Sequence, residues 1–248
     1  MTSIHRFGSG ASHYVFLHGS PSDSSVWDAL ARLRPAHATC WLVDLPDHGA
    51  AFDASADALE LEKAVATRVG GLAPSLTLVG HSFGAYLASR IAHTLGAQVA
   101  RMVLISGFAR LPPEAAAGFG QLATSIEAGA VTLTDLIGVA ASRWYGAQAS
   151  DDERAVVAKV MMQTGTARAR RSVSRLSQLA QDTLAVQRYA QPTTLIHSTG
   201  DQAIPFVLGT ELAELGDNAT LLALDTHHHM LPMTHAAELA PTVFERLE

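Results

Sequence analysis

Ser82 lies between two glycines in the stretch Gly80-His81-Ser82-Phe83-Gly84. A serine hydroxyl is essentially un-ionised at neutral pH. To attack a carbonyl it needs a base within hydrogen-bond reach, a group orienting that base, and donors for the oxyanion that forms. The pentapeptide alone is a weak signal. In 248 residues with 19 glycines, a Gly-x-Ser-x-Gly match arises by chance in roughly one sequence in ten. The competing reading is a strand-to-helix turn with an incidental serine. Carboxylates and imidazoles that could serve it lie far downstream: Asp201, Asp225, the run His227-His228-His229, and His235. The three consecutive histidines also raise a metal site. Adjacent residues on an extended segment point alternately, and nothing near them supplies a matched carboxylate set, so we expect neither a metal nor a cofactor.

Such groups can meet only if the fold carries them to one place. Short apolar runs read as buried strands at His13–Leu17, Thr39–Val43, Leu76–Val79, Met102–Ile105, Thr193–Ile196 and Thr220–Leu224. They are apolar on both faces, as a parallel sheet covered by helices requires. Helical spacing fills most intervals, at Trp27–Leu33, Leu59–Val69, Gly84–Leu95, Val207–Leu215 and Ala236–Leu247. The alternation predicts an α/β fold with a doubly wound, mostly parallel sheet. Between Ser106 and Pro192 the rhythm breaks: no strand is evident, and helical patterns cover Pro113–Ile126, Thr132–Trp144, Asp151–Thr164 and Ala169–Ala190. A structureless loop of that length is improbable, so we expect a helical cap over residues 109–175, inserted into a core of residues 1–108 and 176–248.

In this frame the serine stretch gains context. Leu76–Val79 runs into the turn, and AYLASRIAHTL follows as a helix, which is the strand–turn–helix setting an exposed nucleophile requires. The ends of neighbouring strands are where its partners should converge.

Bulk properties narrow the field. Apolar residues make up 48% of the chain and charged residues 16%, which describes a globular protein with much to bury. The net charge of −6 argues against nucleic acid as a partner, because phosphate binding needs a concentrated basic face. The single cysteine, Cys40, excludes an internal disulfide and sits in an apolar run as a small buried side chain. The N-terminal residues lack the pattern of a signal peptide, and no apolar run approaches a membrane span. Cytoplasmic localisation is the expectation.

Taken together, these stretches resemble the α/β-hydrolase superfamily, in particular its serine esterases with a helical cap. The resemblance rests on His18-Gly19-Ser20-Pro21, which looks like the family's oxyanion loop, and on Asp44-Leu45-Pro46-Asp47-His48-Gly49, with Asp47 where glycine is usual. It rests also on the Ser82 turn, on Gly200-Asp201-Gln202-Ala203-Ile204-Pro205, and on His229-Met230-Leu231-Pro232-Met233. The order Ser82, Asp201, His229 is the family order. The resemblance implies that Asp201 orients His229, which exchanges a proton with Ser82. It implies that the backbone N–H groups of Ser20 and Phe83 hold the oxyanion. Asp225 remains a competitor for the acid, and His228 for the base, since family positions further on are here Thr234 and Ala236. Trp27, Trp144, Tyr145 and Met161 are candidates for the substrate pocket. Arg168, Arg170, Arg171 and Arg175 are either a solvated helix face or a site for a substrate carboxylate. His18 reads as a buried structural histidine.

Ser82 at the turn excludes relatives that attack through an aspartate. The implied activity is hydrolysis of a small carboxylic ester, lactone or thioester through an acyl-enzyme. Carbon–carbon bond hydrolysis or lysis on the same triad, and a non-catalytic small-molecule receptor, are the alternatives. Nothing in the sequence speaks to oligomeric state.

Overall fold

The computed structural model describes residues 3–46 and 58–245. Its sheet explains why the strands carry apolar side chains on both sides. From β2 (Ser12–Leu17), Val15 and Leu17 enter one core and Tyr14 and Phe16 the other. From β5 (Val99–Ile105), Met102 and Leu104 face the first core and Val103 and Ile105 the second. With β1 (Ser3–Phe7), β3 (Ala38–Asp44), β4 (Leu76–His81), β6 (Thr193–Ser198) and β7 (Ala219–Leu224), the described strands form one sheet in the order β1-β3-β2-β4-β5-β6-β7. All neighbours are parallel except β1 and β3.

Helices cover both faces. The first core is closed by α2 (Ala58–Gly70) and α3 (Phe83–Leu95). The second is closed by α1 (Asp28–Arg32), by residues of the helical insertion, and by α9 (Ala236–Val243), which follows the single turn α8 (Leu231–Thr234). Strand β1 was not foreseen. It is an antiparallel edge of mixed polarity whose residues are half-buried or exposed, and such a segment gives no apolar run to detect.

The insertion between β5 and β6 consists of α4 (Pro113–Glu127), α5 (Leu133–Tyr145) and α6 (Asp151–Leu176). Helix α5 starts in a capping box of Thr132 and Asp135, and α6 in one of Ser150 and Glu153, each satisfying backbone N–H groups that the first turn leaves open. Two of the expected helices meet in α6, which kinks at Gly165 with φ 72°. The expected helix over Ala169–Ala190 stops at Leu176. Beyond it the chain turns repeatedly so that Leu179, Leu184 and Tyr189 can bury in the core, a demand that a straight helix would not meet. The remaining helix, α7 (Phe206–Glu214), leads from β6 to β7. No helix among the described residues is long and apolar enough to cross a membrane.

Candidate active site

The turn after β4 is forced by its neighbours. A Cβ on Gly80 would collide with the Gly84 carbonyl, and one on Gly84 would collide with the backbone of Leu17, so α3 can begin this close to β2 and β4 only with glycine at both places. Between them Ser82 sits at φ 54°, ψ −119°, outside the regions ordinary side chains prefer. Its N–H donates to Ile105 O at 2.8 Å, and its carbonyl accepts from Ala85 and Tyr86 at 2.9 and 3.2 Å. The backbone is thus held on both sides while the side chain projects above the sheet. Phe83 is the first residue of α3, where an N–H has no acceptor within the helix.

The loop after β2 approaches the same turn. His18 is fully buried: its Nδ1–H donates to Gly19 O at 2.7 Å, and its Nε2 accepts from Leu45 N–H at 3.0 Å. Burial holds its pKa below the ordinary value, so it stays a neutral brace with one donor and one acceptor. Ser22 Oγ also donates to Gly19 O, at 2.9 Å. A side chain at Gly19 would press on His81 and Ser82. Ser20 then lies beside Ser82 on a common cavity wall and is hydrogen-bonded through its hydroxyl to Ser172 of α6. Of the Asp44–Gly49 motif, Asp44 accepts from Ser24 N–H at 2.9 Å, while Asp47, His48 and Gly49 lie outside the described residues.

Asp201 stands just past β6. Its Oδ1 accepts from the N–H groups of Ala203 and Ile204 at 2.8 and 2.9 Å, and its Oδ2 lies 2.7 Å from Nδ1 of His229. Burial pushes the carboxyl pKa up, but the charge and hydrogen bond of His229 and the bond from Ile204 outweigh it and hold the group below the usual carboxylate range. His229, also buried, is fixed by its own backbone: its N–H donates to Trp144 O at 2.8 Å, and its carbonyl accepts from His81 Nε2–H at 2.9 Å. His81 is buried, and desolvation together with His229 depresses its pKa to about 3. It is therefore a neutral donor behind the His229 loop.

Of the residues that competed with these, Asp225 is exposed. His228 turns the other way, with Nε2 3.5 Å from Glu153 on α6 and its ring edge-on to Tyr145. Among the described residues, no group of three or more His, Cys, Asp or Glu side chains is arranged to hold a metal ion. Cys40 is buried, and desolvation pushes its thiol pKa to about 12.

Ser82, Phe83, Ser20 and His229 open together onto a cavity with an internal volume near 100 Å³. Trp144 and Met161 line it. Trp27 does not: it is fully buried under the turn, 5.2 Å from the Phe16 ring and 6.4 Å from that of His81. Tyr145 packs away from the cavity, against His228 and Met233. The rest of the wall was missed. It comprises Pro21 after β2, Phe108 and Leu111 after β5, Phe119 and Leu122 of α4, Leu136, Val139, Ala140 and Arg143 of α5, Val173 and Leu176 of α6, and Ala203 and Ile204 after β6. The spacing 136, 139, 140, 143, 144 along α5 is a helical stripe, and it was the available signal. Also missed was His197, buried on β6, whose Nε2–H donates to Ile204 O at 2.8 Å behind Asp201. In the arginine run on α6, Arg175 is buried, Arg168, Arg170 and Arg171 are half-buried, and Arg170 pairs with Glu127 of α4 at 3.4 Å. None of the four lies on the cavity wall.

A mostly parallel sheet of this order, a strained serine turn at the end of β4, and helices inserted after β5 define an α/β hydrolase. The chain belongs to the Alpha/beta hydrolase family, whose model matches residues 14–242. Solved structures with the same fold include the enol-lactonase from Burkholderia xenovorans LB400, with a TM-score of 0.83 at 19% identity over 98% of this chain and 94% of that one. A thermophilic esterase from Thermogutta terrifontis gives 0.82 at 16% identity over 98% and 92%. By sequence, the chain is 31% identical over 125 residues to the pimeloyl-[acyl-carrier protein] methyl ester esterase of Salmonella newport, covering 46% of this chain and 48% of that relative. The corresponding protein of Nitrosomonas europaea is 32% identical over 108 residues, covering 43% and 42%. Each match thus spans less than half of the curated relative's length.

Proposed function

We propose that this protein is a serine hydrolase that cleaves small carboxylic esters, including cyclic ones, through an acyl-enzyme. The observation that carries the reading is the 2.7 Å contact between Asp201 Oδ2 and His229 Nδ1, made by a histidine that shares a cavity wall with Ser82. With Nδ1–H committed to the carboxylate, Nε2 is the basic nitrogen. It takes the proton as Ser82 Oγ attacks the ester carbonyl. The tetrahedral oxyanion accepts hydrogen bonds from the N–H groups of Phe83 and Ser20. Collapse expels the alcohol, which leaves with the proton from His229 and an acyl group on Ser82. Water then attacks the acyl carbon, His229 takes its proton and returns it to Ser82 Oγ, and the carboxylic acid departs. Each oxyanion donor supplies about 3 kcal/mol of transition-state stabilisation in sites of this kind.

The apolar wall and the modest cavity favour a short hydrophobic acyl group. An engineered cavity of about 150 Å³ admits benzene, so one near 100 Å³ suits a chain of a few carbons. The test is a fluorophosphonate probe together with a panel of p-nitrophenyl esters, lactones and thioesters. Stoichiometric labelling of Ser82 with turnover of at least one ester class is expected. Clean protein that neither labels nor turns over would favour a small-molecule receptor.

A further inference from the structure

One cation breaks the apolar lining of the cavity. Arg143 lies in the last turn of α5, on the stripe that also carries Leu136, Val139 and Ala140 to the wall. Apart from Ser20, Ser82 and His229, every other lining residue is apolar. The two ends of the cavity differ. Phe83 and Phe108 near the serine are buried, whereas Val139, one turn of α5 before Arg143, is 51% exposed. Arg143 is itself exposed, so the cavity runs from the buried serine towards solvent with Arg143 on its open side.

The guanidinium there is uncommitted. Six arginines are described between residues 113 and 176. Arg154 donates to Ala149 O, Arg170 pairs with Glu127, and Arg168, Arg171 and Arg175 all have partners. Among the described residues Arg143 has no hydrogen bond or ion pair. A cation in the last turn of a helix gains some stability from the helix dipole, but that accounts for a charge and not for its place on an apolar wall. A guanidinium binds carboxylate or phosphate oxygens through two parallel hydrogen bonds.

We infer that Arg143 selects substrates whose cavity-filling acyl chain ends in an anionic oxygen group, a carboxylate or a phosphate, at the end remote from the scissile ester. The inference rests on the hydrolase reading and narrows it to amphipathic esters. Apolar methylenes lie against Leu136 and its neighbours, the carbonyl sits at Ser82, and the anion sits at Arg143.

The experiment compares three series of methyl esters of graded chain length: half-esters of dicarboxylic acids, esters ending in a phosphate, and plain alkanoates. The ratio of kcat/KM for anionic over neutral ester should exceed about tenfold for the wild-type protein at low salt and fall as salt screens the charge. Whichever anionic series shows the larger ratio identifies the group. Arg143→Gln should bring the ratio close to unity through KM, Arg143→Lys should keep part of it, and Arg143→Glu should favour an amine-ended ester. Equal effects of Arg143→Gln on both kinds of ester, or no wild-type preference, would overturn the inference while leaving the hydrolase reading intact. Calorimetric titration with dicarboxylates and matched monocarboxylates gives a readout independent of turnover. Dicarboxylate binding that needs Arg143, in a protein that cleaves no ester, would uphold the cation site and sink the hydrolase reading instead.

Discussion

Asp201 and His229 are joined at 2.7 Å, and the carboxylate is immobilised from behind by two backbone N–H groups at 2.8 and 2.9 Å. The acid therefore cannot rotate away from the imidazole. Asp201→Asn should keep the fold yet present either an amide N–H to a ring N–H or a weaker neutral acceptor, favouring the wrong tautomer. A fall in kcat of about 10⁴-fold is expected, as for the equivalent change in other triads. Steady-state kinetics beside a circular dichroism spectrum checks it, and a loss below tenfold would remove Asp201 from the mechanism.

Ser82 sits at φ 54°, a conformation that costs a non-glycine residue on the order of 1–3 kcal/mol. Ser82→Ala should abolish turnover, by about 10⁴-fold or more, without relieving that strain. Ser82→Gly should abolish turnover and raise the thermal midpoint, since glycine adopts this backbone freely. Differential scanning calorimetry of the two variants separates the effects. Equal midpoints would mean that the turn stores no strain.

Much of this arrangement was readable from residue types. Strands β2 to β6 announced themselves because both faces carry buried apolar side chains, β7 was readable from its apolar run although as an edge strand its residues are half-buried or exposed, and glycine was demanded wherever α3 crowds β2 and β4. What escaped shares a physical cause. Strand β1 is a half-exposed edge, the end of α6 is set by where Leu179 and Leu184 find the core, and the ion-pair partner of Arg170 lies on α4. The cavity wall draws on the loops after β2, β5, β6 and β7, on the Ser82 turn and on α4, α5 and α6, and only the stripe on α5 leaves a mark in a single helix. Trp27 lies off the cavity wall because an aromatic near such a loop packs as readily beneath it as beside it.

The glycine argument has its own contrast. Gly84→Ala would drive a methyl group into the Leu17 backbone, which cannot retreat without breaking the sheet, and should leave the protein largely unfolded. Gly118 lies exposed inside α4, and a methyl group added there would meet nothing within 4 Å. Gly118→Ala should therefore stabilise by about 0.5–1 kcal/mol through helix propensity. Urea denaturation of both variants gives the comparison, and a well-folded Gly84→Ala protein would refute the close approach.

Acid should destabilise the fold through its buried histidines before it reaches the carboxylates. His81 titrates near 3 when folded and near 6.5 in the unfolded chain, so the unfolded state binds more protons throughout that window. Stability from this group is present above about pH 6.5, is lost at about 1.4 kcal/mol per pH unit as pH falls towards 3, and changes no further below that. His18 and His197, also lowered by burial, act in the same direction. Asp201, whose pKa is lowered too, adds its loss only below the unfolded carboxylate value of about 4. The urea midpoint should therefore drop between about pH 7.5 and 5.5, and His81→Gln, which keeps a donor for the His229 carbonyl, should flatten the slope. An invariant midpoint would show that His81 accepts its proton without cost.

Cavity size makes the last prediction. Leu136 is buried on the α5 stripe, and replacing it with alanine removes three carbons from the wall without touching Ser82, Asp201 or His229. Each methylene that a pocket accepts or rejects is worth about 1–3 kcal/mol in kcat/KM. Leu136→Ala should thus move the preferred acyl chain about two carbons longer and lower kcat/KM for the shortest esters, which lose contacts. The stability cost, about 2–3 kcal/mol, is measurable separately by denaturation. A chain-length profile that keeps its optimum would place the acyl group elsewhere and leave this cavity to the alcohol. A uniform loss across all lengths would point to misfolding of the helical insertion, which the denaturation curve would reveal.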